Sequence, residues 1–202
     1  MTATEILVGS IVVLSIAGFY ISGLIGRMKH YPYREWRYGE WYRLLTAGFF
    51  HVDWIHLLIN AWVLWEFGRI IEAQFVRQEG PMGQWIFVGV FLLTVVLANI
   101  PTAVMYRRRP LYSAVGASGG VSGIIALYAL FYPWRKIYLY GIIGIHSVVA
   151  VVLYLAYSAW AARHARDGVD HYAHFFGTVA APLLVSIYRP EWMTHLLDNL
   201  LR

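Results

Sequence analysis

Residues 84–105 read QWIFVGVFLLTVVLANIPTAVM, a run of 22 residues without a charged side chain. A helix needs about 20 consecutive apolar residues to cross the hydrocarbon core of a bilayer. Pro101 lies near the end of the run, where it predicts a kink in the helix. The stretch therefore predicts a transmembrane helix, and the rest of the chain can be interpreted outward from it.

Five further apolar runs lie on the two sides of this stretch. Together they predict six transmembrane helices, at about 6–25, 52–71, 84–105, 118–132, 137–160 and 171–188. The first run is long enough to span a membrane and has no basic residue before it, so we interpret it as a helix and not as a secretory signal. The predicted fold class is therefore all-α, a polytopic membrane protein whose six helices form a single domain over 1–202, with an interfacial tail at 191–202.

The composition agrees with a membrane protein and excludes other classes. Of the 202 residues, 59% are hydrophobic and 13% are charged, about half the charged share of a soluble domain. The apolar content excludes disorder, and the absence of cysteine excludes disulfides, Cys-ligated metals and thiol nucleophiles. The net charge is +5, but the basic residues flank apolar runs, as in 107–109, which is typical of contact with lipid headgroups. We therefore expect the lipid bilayer as a partner and no nucleic acid.

Polar residues inside membranes are energetically costly and therefore indicate functional sites. In this chain they open the second, fourth and sixth predicted helices. Because even-numbered helices enter the membrane from the same side, we expect the three clusters to lie at one membrane face and at a similar shallow depth. The clusters are His51, Asp53, His56 and Asn60, then the segment GASGGVSG at 116–123, then Asp170, His171 and His174.

These residue types are the ones that hydrolysis by a serine uses. A serine hydroxyl is a poor nucleophile until a base, usually an imidazole, takes its proton. Asn and His side chains and backbone N–H groups can stabilise the oxyanion of the tetrahedral intermediate. The glycines around Ser118 allow a sharp turn, and a helix that begins there offers free N–H groups and a positive dipole end. The three clusters thus predict a nucleophile, a base and oxyanion donors.

Several segments, in order and with matching spacing, resemble the rhomboid family of intramembrane serine proteases. They are WYRLLTAGFFH at 41–51 with HLLIN at 56–60, GRIIE at 68–72, GASG at 116–119 and AHFFG at 173–177. The Gly-x-Ser-x-Gly pattern alone also suggests an α/β-hydrolase elbow, but that motif requires a strand–turn–helix setting that this chain lacks. The resemblance implies a six-helix rhomboid-like bundle with its core at about 38–190.

The resemblance also implies a role for individual residues. Ser118 would be the nucleophile and His174 its base, acting as a dyad. His56, Asn60 and the Gly116 region would help the Ser118 N–H to stabilise the oxyanion. Arg43 and Glu72 match positions that brace loop structure, and Gly177 and Ala181 let the sixth helix approach the fourth. The implied structural residues are Arg43, Glu72, Gly119, Gly177 and Ala181.

The function that the resemblance implies is that of an intramembrane serine endopeptidase. Its partners would be membrane proteins, cleaved in or near a transmembrane segment that must locally unwind, so helix-breaking residues near the cut should be preferred. It implies no cofactor and no metal. It also implies a plasma or inner membrane location with an extracytoplasmic active site, although ten of the 16 Lys and Arg would lie on that side. The positive-inside rule would place that side in the cytoplasm, and our expectation follows the resemblance.

Other interpretations of single residues stay open at this point. Ser122 repeats the Gly-x-Ser-Gly pattern one turn later and is a rival nucleophile, and it stands where the family often has a larger residue that packs against the base. His171 and His174 have the spacing of a metal pair, although carboxylates are scarce and no His-Glu-x-x-His is present. Asp170 could tune His174. We interpret the aromatic residues Tyr154, Tyr157 and Trp160 as an interfacial belt.

Two other functions are also compatible with parts of the pattern. One alternative is a catalytically silent rhomboid-like protein that binds membrane clients for quality control. Such relatives usually lack one dyad residue, and both are present here. The other is a small transporter, which predicts internal repeats and midplane charges, and the sequence has neither.

Overall fold

The protein is described by a computed structural model over residues 1–139 and 142–194, and most of this length is helical. In chain order the helices are α1 (Ala3–Tyr20), α2 (Leu24–Met28), α3 (Pro32–Tyr38), α4 (Arg43–Thr46), α5 (Trp54–Glu79), α6 (Gly83–Met105), α7 (Ser118–Phe131), α8 (Ser147–His164) and α9 (His171–Tyr188). The six long helices α1, α5, α6, α7, α8 and α9 follow the order of the six predicted segments. The fold class is the predicted all-α bundle, apart from one hairpin of strands β1 (Lys136–Leu139) and β2 (Ile143–His146).

Two stretches of the described residues are long and apolar enough to cross a membrane on length and hydropathy alone. They are Ala3–Tyr20, which is α1, and Trp54–Met105, which contains α5, α6 and the turn between them. Helix α7 is apolar but has only 14 residues. Helix α9 begins with two histidines, His171 and His174, and polar side chains of this kind lower its hydropathy.

The fifth predicted helix, at 137–160, is wrong at both ends. Its first residues form β1 and β2, which pair antiparallel with Lys136 opposite His146, and the helix runs from Ser147 to His164. The segment is rich in isoleucine and tyrosine, which are common in strands, and its glycines at 141 and 144 are unfavourable inside a helix. A short apolar run cannot be assigned to helix or strand from periodicity alone. Ser147 fixes the junction, because its hydroxyl donates to the carbonyl of Tyr132 at 2.6 Å.

The second predicted helix, at 52–71, continues in the structure to Glu79 as α5. The sequence suggested an end near the polar residues Glu72 and Gln74. Both side chains are buried, however, and both have partners: Glu72 on α1 and Gln74 on Tyr132. The helix continues because these polar groups are satisfied inside the protein.

Helices α7 and α9 approach each other through residues without large side chains. A Cβ atom added at Gly177 would overlap the backbone carbonyl of Gly119, and one at Gly123 would lie 2.8 Å from the Cβ of Ala181. Small residues at these four positions allow backbone-to-backbone contact, which is a common way to pack helices in membranes. This contact brings the first turns of α7 and α9 together.

The chain after α9 returns to the bundle. Trp192 is 3% exposed, and its ring packs edge-on against Phe75 and Phe131 at centroid distances of 5.2 and 5.3 Å. The second residue of the tail predicted at 191–202 as interfacial is therefore buried in the core. Residues 195–202 of that tail lie outside the described residues.

Candidate active site

Ser118 and His174 form a direct contact at the starts of their helices. Ser118 is the first residue of α7, and its Oγ lies 2.7 Å from Nε2 of His174 in the first turn of α9. Asp170 caps α9 by accepting a hydrogen bond from the Ala173 N–H at 3.0 Å. The first-turn N–H groups of α7 have no acceptor within their own helix and carry its positive dipole end. The arrangement places a hydroxyl, an imidazole and free amides side by side.

The turn before Ser118 is held by His51, a histidine of the first predicted polar cluster. The Ala117 N–H donates to Nε2 of His51 at 3.3 Å, and Nδ1 of His51 lies 2.9 Å from the Ser15 hydroxyl on α1. Burial, with a smaller effect of His56, lowers the pKa of His51 to about 3, so the ring is neutral near pH 7. Because Nε2 accepts, the proton sits on Nδ1 and is donated to Ser15. His51 is thus a structural link from α1 to the turn before Ser118.

His56 and Gly116 lie against each other beside Ser118. Gly116 has φ +145°, and a Cβ atom there would lie 2.6 Å from Cε1 of His56. The Gly116 N–H is already bonded to the carbonyl of Ala47 at 3.0 Å. Gly116 therefore provides room for the His56 ring, and its own N–H is committed to the protein. Asp53 caps α5 by accepting from the His56 N–H at 2.7 Å.

Asn60 is placed differently from the other sequence-predicted oxyanion residues. Its buried amide donates to the carbonyl of His56 at 2.8 Å, one helical turn back along α5. A cavity of about 600 Å³ is lined by His56, Gly116, Ser118 and His174, and Asn60 is not part of this wall over the described ranges 1–139 and 142–194. The structure thus joins four of the predicted site residues around one cavity, with Asn60 adjacent to it.

Sequence reasoning missed the neighbour of the His174 ring. Tyr154 of α8 packs near-parallel on it, with centroids 6.0 Å apart and planes at 26°, and the Tyr154 hydroxyl lies 2.9 Å from Ser122 Oγ. The predicted belt is therefore incorrect for Tyr154, which faces the site. The small residue at Ser122 was the signal that another side chain fills this space. Ser122 itself bonds Tyr154, whereas Ser118 contacts the imidazole.

The two histidines of α9 have different partners. His171 lies 3.1 Å from the Asp167 carboxylate through Nε2, and its ring stands edge-on to His174 at 5.7 Å. Among the described residues, no group of three His, Asp or Glu side chains is arranged to hold a metal ion. Asp170 serves as the helix cap.

The predicted bracing residues lie at opposite ends of the bundle. Arg43 donates to the carbonyls of Gly26 and Lys29 at 3.1 and 3.0 Å and so holds the segment between α2 and α3. Glu72 contacts no such loop: its carboxylate accepts from the N–H groups of Ala3 and Thr4, each at 2.8 Å. Glu72 thus binds the first turn of α1.

Comparison with known proteins gives a consistent family. A model of the rhomboid domain matches residues 38–191. Rhomboid-like protein 11, chloroplastic, of Arabidopsis thaliana is 37% identical over 100 residues, covering 48% of this chain and 32% of that protein. Rhomboid protease GluP of Bacillus subtilis (strain 168) is 33% identical over 102 residues, covering 50% of this chain and 18% of that protein. The chain thus matches less than half the length of these relatives. Because the domain model matches well over half of the chain, the protein belongs to the rhomboid family of integral membrane proteins.

Proposed function

We propose that this protein is an intramembrane serine endopeptidase that cleaves transmembrane segments of other membrane proteins. The observation that carries the proposal is the 2.7 Å contact between Ser118 Oγ and His174 Nε2 at the wall of a cavity. A nucleophile within hydrogen-bond reach of a base is the basic requirement of covalent serine catalysis. The protease name of the GluP relative supports the same reaction.

The proposed reaction has two halves. Ser118 Oγ attacks the scissile carbonyl carbon while His174 Nε2 takes the hydroxyl proton, which gives a tetrahedral oxyanion. The imidazolium then gives that proton to the leaving amine, the C–N bond breaks, and an acyl-Ser118 ester remains. A water molecule repeats the sequence, with His174 again as base, and releases the carboxyl product and the free serine.

We propose that the oxyanion is stabilised between the N-terminal end of α7 and the side of α5 that faces this end. The Ser118 N–H and the His56 ring are the donors nearest to where the charge develops. Gly116 contributes by admitting the His56 ring, because its own N–H is bonded to Ala47. Asn60 uses one amide hydrogen on the His56 carbonyl and has a second one available. Asn60 therefore acts on His56 as well as on the oxyanion.

The substrate must reach Ser118 in an extended form. A helical amide is hydrogen-bonded and shielded, so attack on its carbonyl requires local unwinding of the transmembrane segment. Glycine and proline lower the cost of unwinding, and we propose that they mark preferred cleavage regions. A cavity of about 600 Å³ accommodates a few residues of extended chain rather than a helix, which with its side chains is about 10 Å across.

We also propose that this site faces the extracytoplasmic side of the plasma or inner membrane. The excess of basic residues on that side is partly neutralised by the fold. Arg34 and Arg43 both pair with Glu40, and Arg43 is buried, with its guanidinium on backbone carbonyls. Basic groups that are folded against the bundle do not act as free loop charges, which weakens the opposing argument from charge counting.

The nucleophile is tested by labelling with a fluorophosphonate serine probe and by cleavage of a model transmembrane substrate. We expect Ser118→Ala to lose both labelling and cleavage, and His174→Ala to lose essentially all turnover because Ser118 then has no proton acceptor. Ser122→Ala is the matched control, because it removes the other Gly-x-Ser-Gly hydroxyl, and it should still be labelled. Labelling that survives Ser118→Ala and disappears in Ser122→Ala would move the nucleophile by one helical turn. A client-binding protein without activity would capture substrate and cleave none.

A further inference from the structure

We infer that Tyr154 of α8 is a positioning residue that holds the His174 imidazole in line with Ser118, and that Ser122 fixes Tyr154 in that position. This inference rests on the proposed function. In this inference the base is oriented by α8, a helix that carries neither Ser118 nor His174. Tyr154 does not contact the reacting atoms and acts through His174.

The ring geometry shows how Tyr154 limits the motion of the base. The Tyr154 and His174 rings are near-parallel at 26°, with centroids 6.0 Å apart, which is the offset arrangement that aromatic rings favour. Rotation of the His174 imidazole about its Cβ–Cγ bond would push the edge of the imidazole ring towards the face of the Tyr154 phenol. The edge-on ring of His171, 5.7 Å from His174 on the same helix, limits rotation in another direction. The orientation that remains is the one in which Nε2 reaches Ser118.

The phenol of Tyr154 is itself held from inside the bundle. Its hydroxyl lies 2.9 Å from Ser122 Oγ, and the Ser122 residue is 3% exposed. Ser122 is one turn after Ser118 on α7, so the helix that provides the nucleophile also anchors the ring that orients the base. A larger residue at 122 would occupy the space that the phenol uses. The small serine and the tyrosine are therefore complementary.

The neighbouring aromatic residues of α8 show that this placement is specific to Tyr154. Tyr157 and Trp160 are 51% and 57% exposed, as expected of residues at a membrane interface. Tyr157 does contact α9, but its ring meets His171 edge-on at 5.6 Å. Tyr157 thus offers a matched control: it has the same residue type, lies on the same helix and also contacts a histidine, but not the one that touches Ser118.

The test is steady-state cleavage of a model transmembrane substrate by purified full-length variants, together with thermal unfolding. We expect Tyr154→Leu to lower kcat by about tenfold, the upper end of what an aromatic pair contributes, with KM nearly unchanged. Tyr157→Leu should keep kcat close to that of the unmodified protein. Loss of kcat in Tyr154→Leu with an unfolding midpoint like that of Tyr157→Leu would support positioning. Full kcat in Tyr154→Leu, or equal loss in both variants, would overturn it.

Conservative variants keep the inference testable if Tyr154→Leu fails to fold. Tyr154→Phe keeps the ring, so it should retain most of the turnover that Tyr154→Leu loses. Tyr154→Phe and Ser122→Ala both remove the same hydrogen bond, so the double variant should have the kcat of either single variant. Additive losses would show that Ser122 and Tyr154 act separately and would overturn the inference. An active Ser118→Ala would instead overturn the proposed function itself.

Discussion

The two ends of the bundle both contain polar side chains but use them in opposite ways. At the far end from the cavity, Glu72 binds the first turn of α1, and Arg189 pairs with Glu79 at 2.8 Å, joining the end of α5 to the end of α9. At the cavity end, the His56 ring and the Ser118 hydroxyl border open space. His56 and Glu72 are 16 residues apart on α5, about 24 Å along the helix.

The difference separates polar groups that stabilise the fold from polar groups that, under the proposed function, are available to a substrate. A buried polar group that has all its partners holds the fold together, because losing one partner leaves the other unsatisfied. A polar group that faces a cavity keeps free hydrogen-bonding capacity, which a substrate can use. We therefore expect substitutions at the cavity end to reduce turnover more than stability, and those at the far end to do the reverse.

Outside the Ser118–His174 pair, the largest effect is expected at His56. His56→Ala should lower kcat by about 10²-fold, the order seen when one oxyanion donor is lost, with little change in the thermal midpoint. Asn60→Ala should have a smaller effect, about tenfold, because Asn60 is outside the cavity wall and is partly engaged with the His56 carbonyl. The kcat of both variants is measured by the cleavage of a model transmembrane substrate. Full activity in the double variant would remove the oxyanion role from both residues.

A smaller effect, on stability, is expected at Glu72. Glu72→Gln replaces a carboxylate oxygen that accepts from Thr4 by an amide that cannot accept, so the free energy of unfolding should fall by about 2 kcal/mol. Glu66→Gln is the matched control on the same helix, because its carboxylate is 3.9 Å from Arg69 and both side chains are 47% exposed. Thermal unfolding in detergent compares the two. The kcat of folded Glu72→Gln should stay near normal. An equal shift of the unfolding midpoint in both variants would contradict the assignment of Glu72 as a link between α1 and α5.

The smallest effect is a pH dependence from Glu40. Hydrogen bonds from Arg34 and Arg43 lower the pKa of Glu40 from 4.5 to about 2. A carboxyl whose pKa is lowered by folding stabilises the protein above its unfolded pKa, and that contribution is lost as the pH falls towards the folded pKa. The difference in thermal midpoint between the unmodified protein and Glu40→Gln should therefore narrow between pH 5 and pH 2. A difference that stays constant over this range would show that the charge of Glu40 is not what stabilises this segment.

Much of the fold and the composition of the site follow from simple features of the sequence. Apolar run length predicted the order of the six long helices, although the fifth begins ten residues later than predicted. The parity of the helices predicted that residues near 56, 118 and 174 would meet, and His56, Ser118 and His174 do line one cavity.

The features that the sequence did not reveal depend on tertiary partners. The hairpin of β1 and β2 lies in an apolar run that hydropathy alone does not distinguish from a helix. The continuation of α5 depends on Glu72 being bonded to a segment 68 residues away. Tyr154 lies on a helix with other exposed aromatic residues, and only the position of Ser122 on α7 distinguishes it. For α5 and for Tyr154, the deciding contact lies between residues far apart in the chain.

The bond between Glu72 and the first turn of α1 has a consequence for the order in which the chain assembles. The two partners are 68 and 69 residues apart, so at a synthesis rate of 5–20 residues per second the start of α1 leaves the ribosome about 3 to 14 s before Glu72. During that interval the amides of Ala3 and Thr4 lack their partner. Docking of α1 must therefore follow insertion of α5. Helix α1 is thus made before α5 but takes its final place after it.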